Sequence, residues 1–198
     1  MLCNDYKTRR LLLGSYPAEE QVTTYARRND WPVAGTTEED PEAGTVHEII
    51  WLVEPALALH YAQDALTSTA YVLASSWSPE LAEGLSRRLE RELDVISLDE
   101  LLRTAEEARD AHALSLAINK LSLGAPREYD ADVFRLIAKG LSHADRDVRL
   151  ASIWAVGFMP WPEYRPILRK LAEGDPDSTA RETAADLLEA YRLEGGEP

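Results

Sequence analysis

A chain of 198 residues, 45% hydrophobic and 28% charged, is long enough for one sizeable core or two small ones and too apolar to be disordered throughout. Its 21 basic and 35 acidic side chains leave a net charge of −14, spread over both halves, which repels phosphate backbones and anionic lipid and attracts basic partners. The single cysteine, Cys3, excludes an internal disulfide and a cysteine-based zinc site, and no apolar run reaches membrane length. The expectation is a cytoplasmic protein with no nucleic-acid and no membrane partner.

Residues 1–14 are expected to form a flexible lead-in, and Leu11-Leu12-Leu13 behind Arg9 and Arg10 is too short for a signal-peptide core. Residues 15–96 are expected to form a small α+β unit. Pro17, two residues after Ser15, predicts a helix over about 17–29, with Val22, Tyr25 and Ala26 on one face. The stretch from Gly35 to Gly44, with a proline and four carboxylates, is expected to be an exposed loop; it lacks the alternating aspartates of a calcium loop.

Three short runs then follow: Val46 to Val53, Ala56 to Ala62 and Thr69 to Ala74. They are broken by Glu54-Pro55 and by Asp64 to Ser68. Their β-branched and aromatic content and tight breaks predict an antiparallel meander over 45–76. The alanines of the second run are poor strand formers, so a helix pair is the alternative. Ser78-Pro79-Glu80 opens a helix to about Leu93, with Leu81, Leu85, Leu89 and Leu93 four residues apart.

From Ser97 onward the pattern is helical. Ser97-x-x-Glu100 has the form of a capping box. Helices are predicted at about 99–109 and 111–123, 130–142 and 145–158, and 163–173 and 177–192, with Gly124-Ala-Pro126 and the prolines at 160 and 162 between the pairs. Residues 194–198 are read as a tail. Within this stretch a phrase occurs twice: Asp145-Arg-Asp-Val-Arg149 before Leu150-Ala-Ser-Ile-Trp154, and Asp175-Pro-Asp-Ser-Thr-Ala-Arg181 before Glu182-Thr-Ala-Ala185. Arg149 and Arg181 stand 32 residues apart, the spacing of a helical repeat.

These residues carry a resemblance to HEAT-type repeats. Asp145, Asp147, Val148, Arg149, Ala151 and Ala155 match the family pattern, as do Asp175, Asp177, Arg181, Ala184 and Ala185, with Ala180 where valine is usual. The pair at 97–125 resembles it only in outline. The resemblance implies a mainly α chain whose residues 97–193 form an α-solenoid of about three helix pairs, with the second helices lining a concave face. It leaves function open, since such scaffolds host many roles. First-turn aspartates cap free backbone N–H groups, and Arg149 and Arg181 are placed to reach aspartates of the neighbouring turn in a ladder between repeats.

Trp154 lies off the inward stripe of Val148, Ser152, Ala155, Val156 and Met159 and is a candidate binding anchor, or else packs on a neighbouring element. Trp161, in the link from Phe158 to Tyr164, is either an exposed contact or a plug for the interhelix core. Trp154, Arg149, Arg181 and Trp161 are the candidate partner-binding residues. His47 and His60 are placed to face each other across a hairpin, but no ligand spacing accompanies them, and satisfied structural histidines are expected. No serine has a nucleophile-elbow context and no glycine-rich phosphate loop occurs, so no catalytic residue, cofactor or metal is expected. The reading is a non-catalytic protein-interaction or scaffold module with a protein partner, basic if charge decides. The alternatives are an immunity-like inhibitor of a basic toxin and, from the resemblance, a helical-repeat enzyme of the DNA-glycosylase or chromophore-lyase kind.

Overall fold

The computed structural model describes residues 6–40, 46–64 and 68–195, with side chains to residue 193. The chain divides into two compact units, Met1–Ser97 and Leu98–Pro198.

The first unit is a six-stranded antiparallel sheet with two helices on one face. Strands β1 (Tyr6–Lys7), β2 (Leu11–Leu12), β3 (Val33–Thr37), β4 (His47–Glu54), β5 (Leu57–Asp64) and β6 (Thr69–Ser76) are joined by α1 (Glu19–Arg28) and α2 (Pro79–Glu92). The order is β1-β6-β5-β4-β3, and β2 also pairs with β6. The meander predicted over 45–76 is β4, β5 and β6, although residues 65–67 lie outside the described ones. Alanine does not prevent β5 from forming a strand, because β5 is central and paired along its whole length, Leu57↔Ser76 through Asp64↔Thr69. There the ladder and packing on both faces outweigh propensity.

Two expectations about the path of the backbone fail in this unit. The lead-in is not flexible from Tyr6 onward: residues 6–13 run antiparallel to β6, with Thr8 N–H donating to Ala74 O at 2.9 Å. Leu11, Leu12 and Leu13 are all buried, since alternate leucines enter opposite faces of the sheet. Gly14 follows where the chain passes Asp94, and a methyl group there would lie 2.5 Å from Asp94 Oδ2. The loop expected from Gly35 begins instead with strand residues, because β3 pairs as an exposed edge with β4 (Thr36↔Ile49) past an irregularity between Val33 and Gly35. Residues 41–45 of that loop lie outside the described residues.

One sheet face forms the core. Trp51, Leu59, Tyr61 and Val72 meet Val22 and Ala26 of α1 and Ala82, Leu85 and Leu89 of α2, with Leu11 and Leu13 completing the cluster. Each fully buried large side chain contributes about 2 kcal/mol by area. Leu81 does not join its row and is exposed, while Leu85, Leu89 and Leu93 are buried. Steps of four residues advance about 40° around a helix, so a long i, i+4 row wraps off the buried face and Ala82 takes the inward place. Ser78 caps α2 by accepting from Leu81 N–H.

The second unit holds α3 (Leu98–Glu106), α4 (Ala111–Gly124), α5 (Ala131–Leu141), α6 (Arg146–Phe158), α7 (Arg165–Gly174) and α8 (Ser178–Gly195), with a 3-10 turn at Pro162–Tyr164. They pack as consecutive pairs, α3 with α4, α5 with α6 and α7 with α8, and the second helices α4, α6 and α8 stack in sequence. Asp110, Asp130 and Asp145 cap α4, α5 and α6 through their carboxylates. Gly140 is where α5 and α6 approach most closely, since a methyl group there would overlap Ser152 Oγ and lie 3.0 Å from Ile118 Cδ1.

The β4–β5 turn supplies a test. Pro55 sets the first turn position and Ala56 takes the left-handed φ of 68°, which L side chains resist. Ala56→Gly relieves that strain at some cost in unfolded-state entropy, so urea unfolding should show a net gain of roughly 0.5–1 kcal/mol.

Candidate functional site

The outward stripe of α6 carries Trp154, 62% exposed, with the exposed Phe158 one turn on and the half-buried Leu150 one turn back. The inward stripe of the same helix, Val148, Ser152, Ala155, Val156 and Met159, is wholly buried. Of the two alternatives left open for Trp154, solvent exposure is the one observed, because residues turned away from a filled stripe have nothing on their own helix to pack against. Leu116, on the packed neighbour α4, is also exposed. Asp147 of α6 and Glu182 and Asp186 of α8 are exposed acidic groups on the same layer of second helices.

The other three candidates are not arranged as a binding face. Arg149 is 8% exposed and forms a two-pronged ion pair with Asp175, Nε to Oδ2 at 2.7 Å and Nη2 to Oδ1 at 2.9 Å. Its remaining nitrogen donates to His143 O at 3.0 Å and Ala144 O at 2.9 Å. The ladder expected from the repeated phrase exists, and it consumes the arginine. Arg181, half-buried, donates to Asp175 O at 2.7 Å, the counterpart of Arg149 on His143 O in the preceding repeat. Arg146 adds a second rung, donating to Asp177 Oδ2 at 2.5 Å. Hydrogen bonds from the Arg149 guanidinium hold the Asp175 carboxyl below the usual aspartate range.

Trp161 is a plug, 5% exposed. Its ring stacks on Tyr164 at 5.8 Å and meets Tyr129 edge-on at 5.4 Å, while its Nε1–H donates to Arg127 O at 3.1 Å. Tyr191 of α8 closes the cluster by donating to Trp161 O at 3.0 Å. An aromatic run between two helix pairs is the bulk available to fill the gap between them.

The histidines His47 and His60 have partners, as expected of structural histidines, but they do not face each other across the hairpin. His47 and His60 lie on opposite faces of the sheet: His47 pairs with Glu19 at 3.2 Å and meets the Tyr61 ring, whereas His60 stands opposite Ile50. His60 joins a chain that the sequence did not reveal. Its Nδ1 meets Glu48 Oε1 at 2.9 Å and its Nε2 meets Ser75 Oγ at 2.7 Å, linking β4, β5 and β6 diagonally. The hydrogen bond from His60 holds Glu48 below the usual glutamate range. Carboxylate, imidazole and hydroxyl follow one another in the order of a nucleophilic relay. Ser75, however, is 2% exposed on a strand paired along both edges, to Ala58 and to Lys7. In that setting the chain braces three strands.

Trp77, just before α2, and Leu81, in its first turn, are two further exposed apolar side chains, in the first unit. Among the described residues no three His, Cys, Asp or Glu side chains gather as a metal site, and no helix is long and apolar enough to cross a membrane.

Three stacked helix pairs, the second and third tied by Asp–Arg contacts, define a helical-repeat unit. Residues 98–189 match the family model of HEAT repeats, and the C-terminal half of the chain is a HEAT-like helical repeat. Comparison with curated proteins and with solved structures gave no match.

Arg149→Met leaves Asp175 buried without its cation and should cost about 3–5 kcal/mol at neutral pH. Asp175 has a depressed folded pKa, so its stabilisation is present above the unfolded value and lost as pH falls through the folded one. The gap between wild type and variant, read by urea unfolding, should therefore narrow on acidification. Ser75→Ala strands one nitrogen of a buried imidazole and should lower stability by about 1–3 kcal/mol in the same assay.

Proposed function

We propose that this chain is a non-catalytic protein-interaction module that holds its partner on the second helices of the repeat, with Trp154 as the anchor. The observation that carries this reading is the 62% exposure of Trp154 directly opposite a wholly buried stripe. A helix that fills its inward face with valine, alanine and methionine gains nothing for its own fold from an outward indole. The same indole buried by a partner supplies the large, rigid apolar contact typical of interface hot spots.

Support comes from three directions. HEAT repeats generally act as protein-interaction scaffolds, and stacked repeats present a continuous face suited to an extended partner. Leu116 and Phe158 are further exposed apolar side chains on the neighbouring second helices α4 and α6. The partner is expected to be basic, because Asp147 of α6 and Glu182 and Asp186 of α8 are exposed on second helices in a chain of net charge −14.

The test is affinity capture from the source organism's lysate with wild type beside Trp154→Ala. Trp154 is largely in solvent, so the substitution should leave stability within about 0.5 kcal/mol. A protein retained by wild type and lost by the variant, with affinity reduced at least about 30-fold in a titration of the purified pair, is the expected result. Equal retention by both would move the binding face elsewhere, to Trp77 and Leu81 first. Capture of nothing by either would overturn the reading.

A further inference from the structure

At the far end of the repeat, α7 and α8 enclose a cavity of about 240 Å³ lined by Arg165, Arg169, Leu188, Tyr191 and Arg192. Three guanidinium groups around one concavity are out of keeping with a chain in which carboxylates outnumber basic side chains 35 to 21. Helical spacing produces the arrangement. Arg165 and Arg169 stand one turn apart on α7, while Leu188 and Arg192 stand one turn apart on α8, with Tyr191 between them.

The floor is rigid. The Tyr191 ring is buried, its hydroxyl is fixed on Trp161 O, and the Arg165 guanidinium lies over its face at 5.1 Å. Arg169 and Arg192 form the rim and are exposed. Arg192 meets Glu189 at 2.8 Å in a surface pair of the kind that contributes little to stability. Among the described residues no hydrogen bond or ion pair holds Arg169.

We propose that this cavity is an anion site for a phosphomonoester, with the phosphoryl group between Arg169, Arg192 and Arg165 and the organic part against the apolar lining at Leu188. Arginine suits this task because its planar fork delivers two N–H groups to two oxygens of one phosphate, and a dianion gains from each of three cations. A volume of about 240 Å³ admits a phosphoryl group with a body the size of one side chain and excludes a nucleic-acid backbone, which the acidic surroundings would also repel. The apolar lining at Leu188 distinguishes an ester from free phosphate. This site is independent of Trp154, which belongs to another helix pair.

The experiment titrates the full chain with phenyl phosphate, inorganic phosphate and benzoate at low ionic strength, followed by calorimetry. It is repeated with Arg169→Ala/Arg192→Ala and with Arg103→Ala, an exposed arginine outside the cavity. Both rim arginines are exposed, so the double variant should keep the wild-type unfolding curve. Phenyl phosphate should bind wild type and Arg103→Ala alike, weaken with added salt, and bind at least 10-fold more weakly to the double variant. Tighter binding of phenyl phosphate than of inorganic phosphate supports the ester, and benzoate should be weakest. Equal affinity for the two phosphates would overturn the ester and leave free phosphate as the ligand. No binding, or equal binding by wild type and double variant, would overturn the site itself.

Discussion

The guanidinium of Arg149 sits where two helix pairs meet, and much of the repeat half is arranged around it. It reaches across to Asp175 with two nitrogens and back to the carbonyls of His143 and Ala144 with the third. A buried charge is tolerable only with its bonds made, because the desolvation penalty is several kcal/mol per ion. Asp175 is held in turn, since its carboxylate also accepts from Asp177 N–H in the turn before α8. One ion pair thus sets the entry of α6, the entry of α8 and the distance between the two turns. Small residues complete the fit: Gly140 admits Ser152, and Gly157 lies close enough to α8 that a methyl group there would just touch Leu187. The pair is better understood as specifying the stacking register than as a source of net stability.

How much of this was legible in the sequence follows from what each signal encodes. The repeated phrase exposed the ladder because cap and arginine recur at fixed positions on a helical turn, and local geometry then fixes their roles. Helical periodicity turned Trp154 off the inward stripe, because it compares positions on one helix, and left open what the indole meets there. The same periodicity says nothing of what stands across from a helix or a link, so Arg149 and Trp161 looked as available as Trp154 until Asp175 and the ring of Tyr164 were in place. In the sheet, alternation works only where one face is wet. Leu11-Leu12-Leu13, buried on both sides, shows no alternation, and β3 hides behind Gly35 and two threonines at an exposed edge. The Glu48–His60–Ser75 chain runs diagonally across three strands, so it exists only once the registers Ile50↔His60 and Ala58↔Ser75 are fixed.

The two halves of the chain put polar groups in their interiors for a common physical reason. His60 in the sheet and Arg149 in the repeat are both nearly buried, and both have more than one bond that only the correct neighbour can make. Apolar packing tolerates a slip of one residue or one turn at modest cost, whereas a stranded imidazole or guanidinium does not. Polar braces at the centre of each unit therefore penalise the registers that the many alanines and leucines would otherwise permit.

With polar groups committed to register inside, two surface features of the described residues stand out. A largely exposed tryptophan on α6 contributes nothing to the stripe it faces away from, and three arginines lining one small cavity in an acidic chain raise the local self-energy of the fold. The first feature lowers solubility and the second works against the favourable mixing of surface charge. Trp154 stands on the second helix α6, and the arginines line the cavity between α7 and the second helix α8. A scaffold that holds such groups at fixed separation can engage an apolar anchor and an anionic group at separate points, and the orientation of whatever binds would then be set by the same 32-residue spacing that sets the stack.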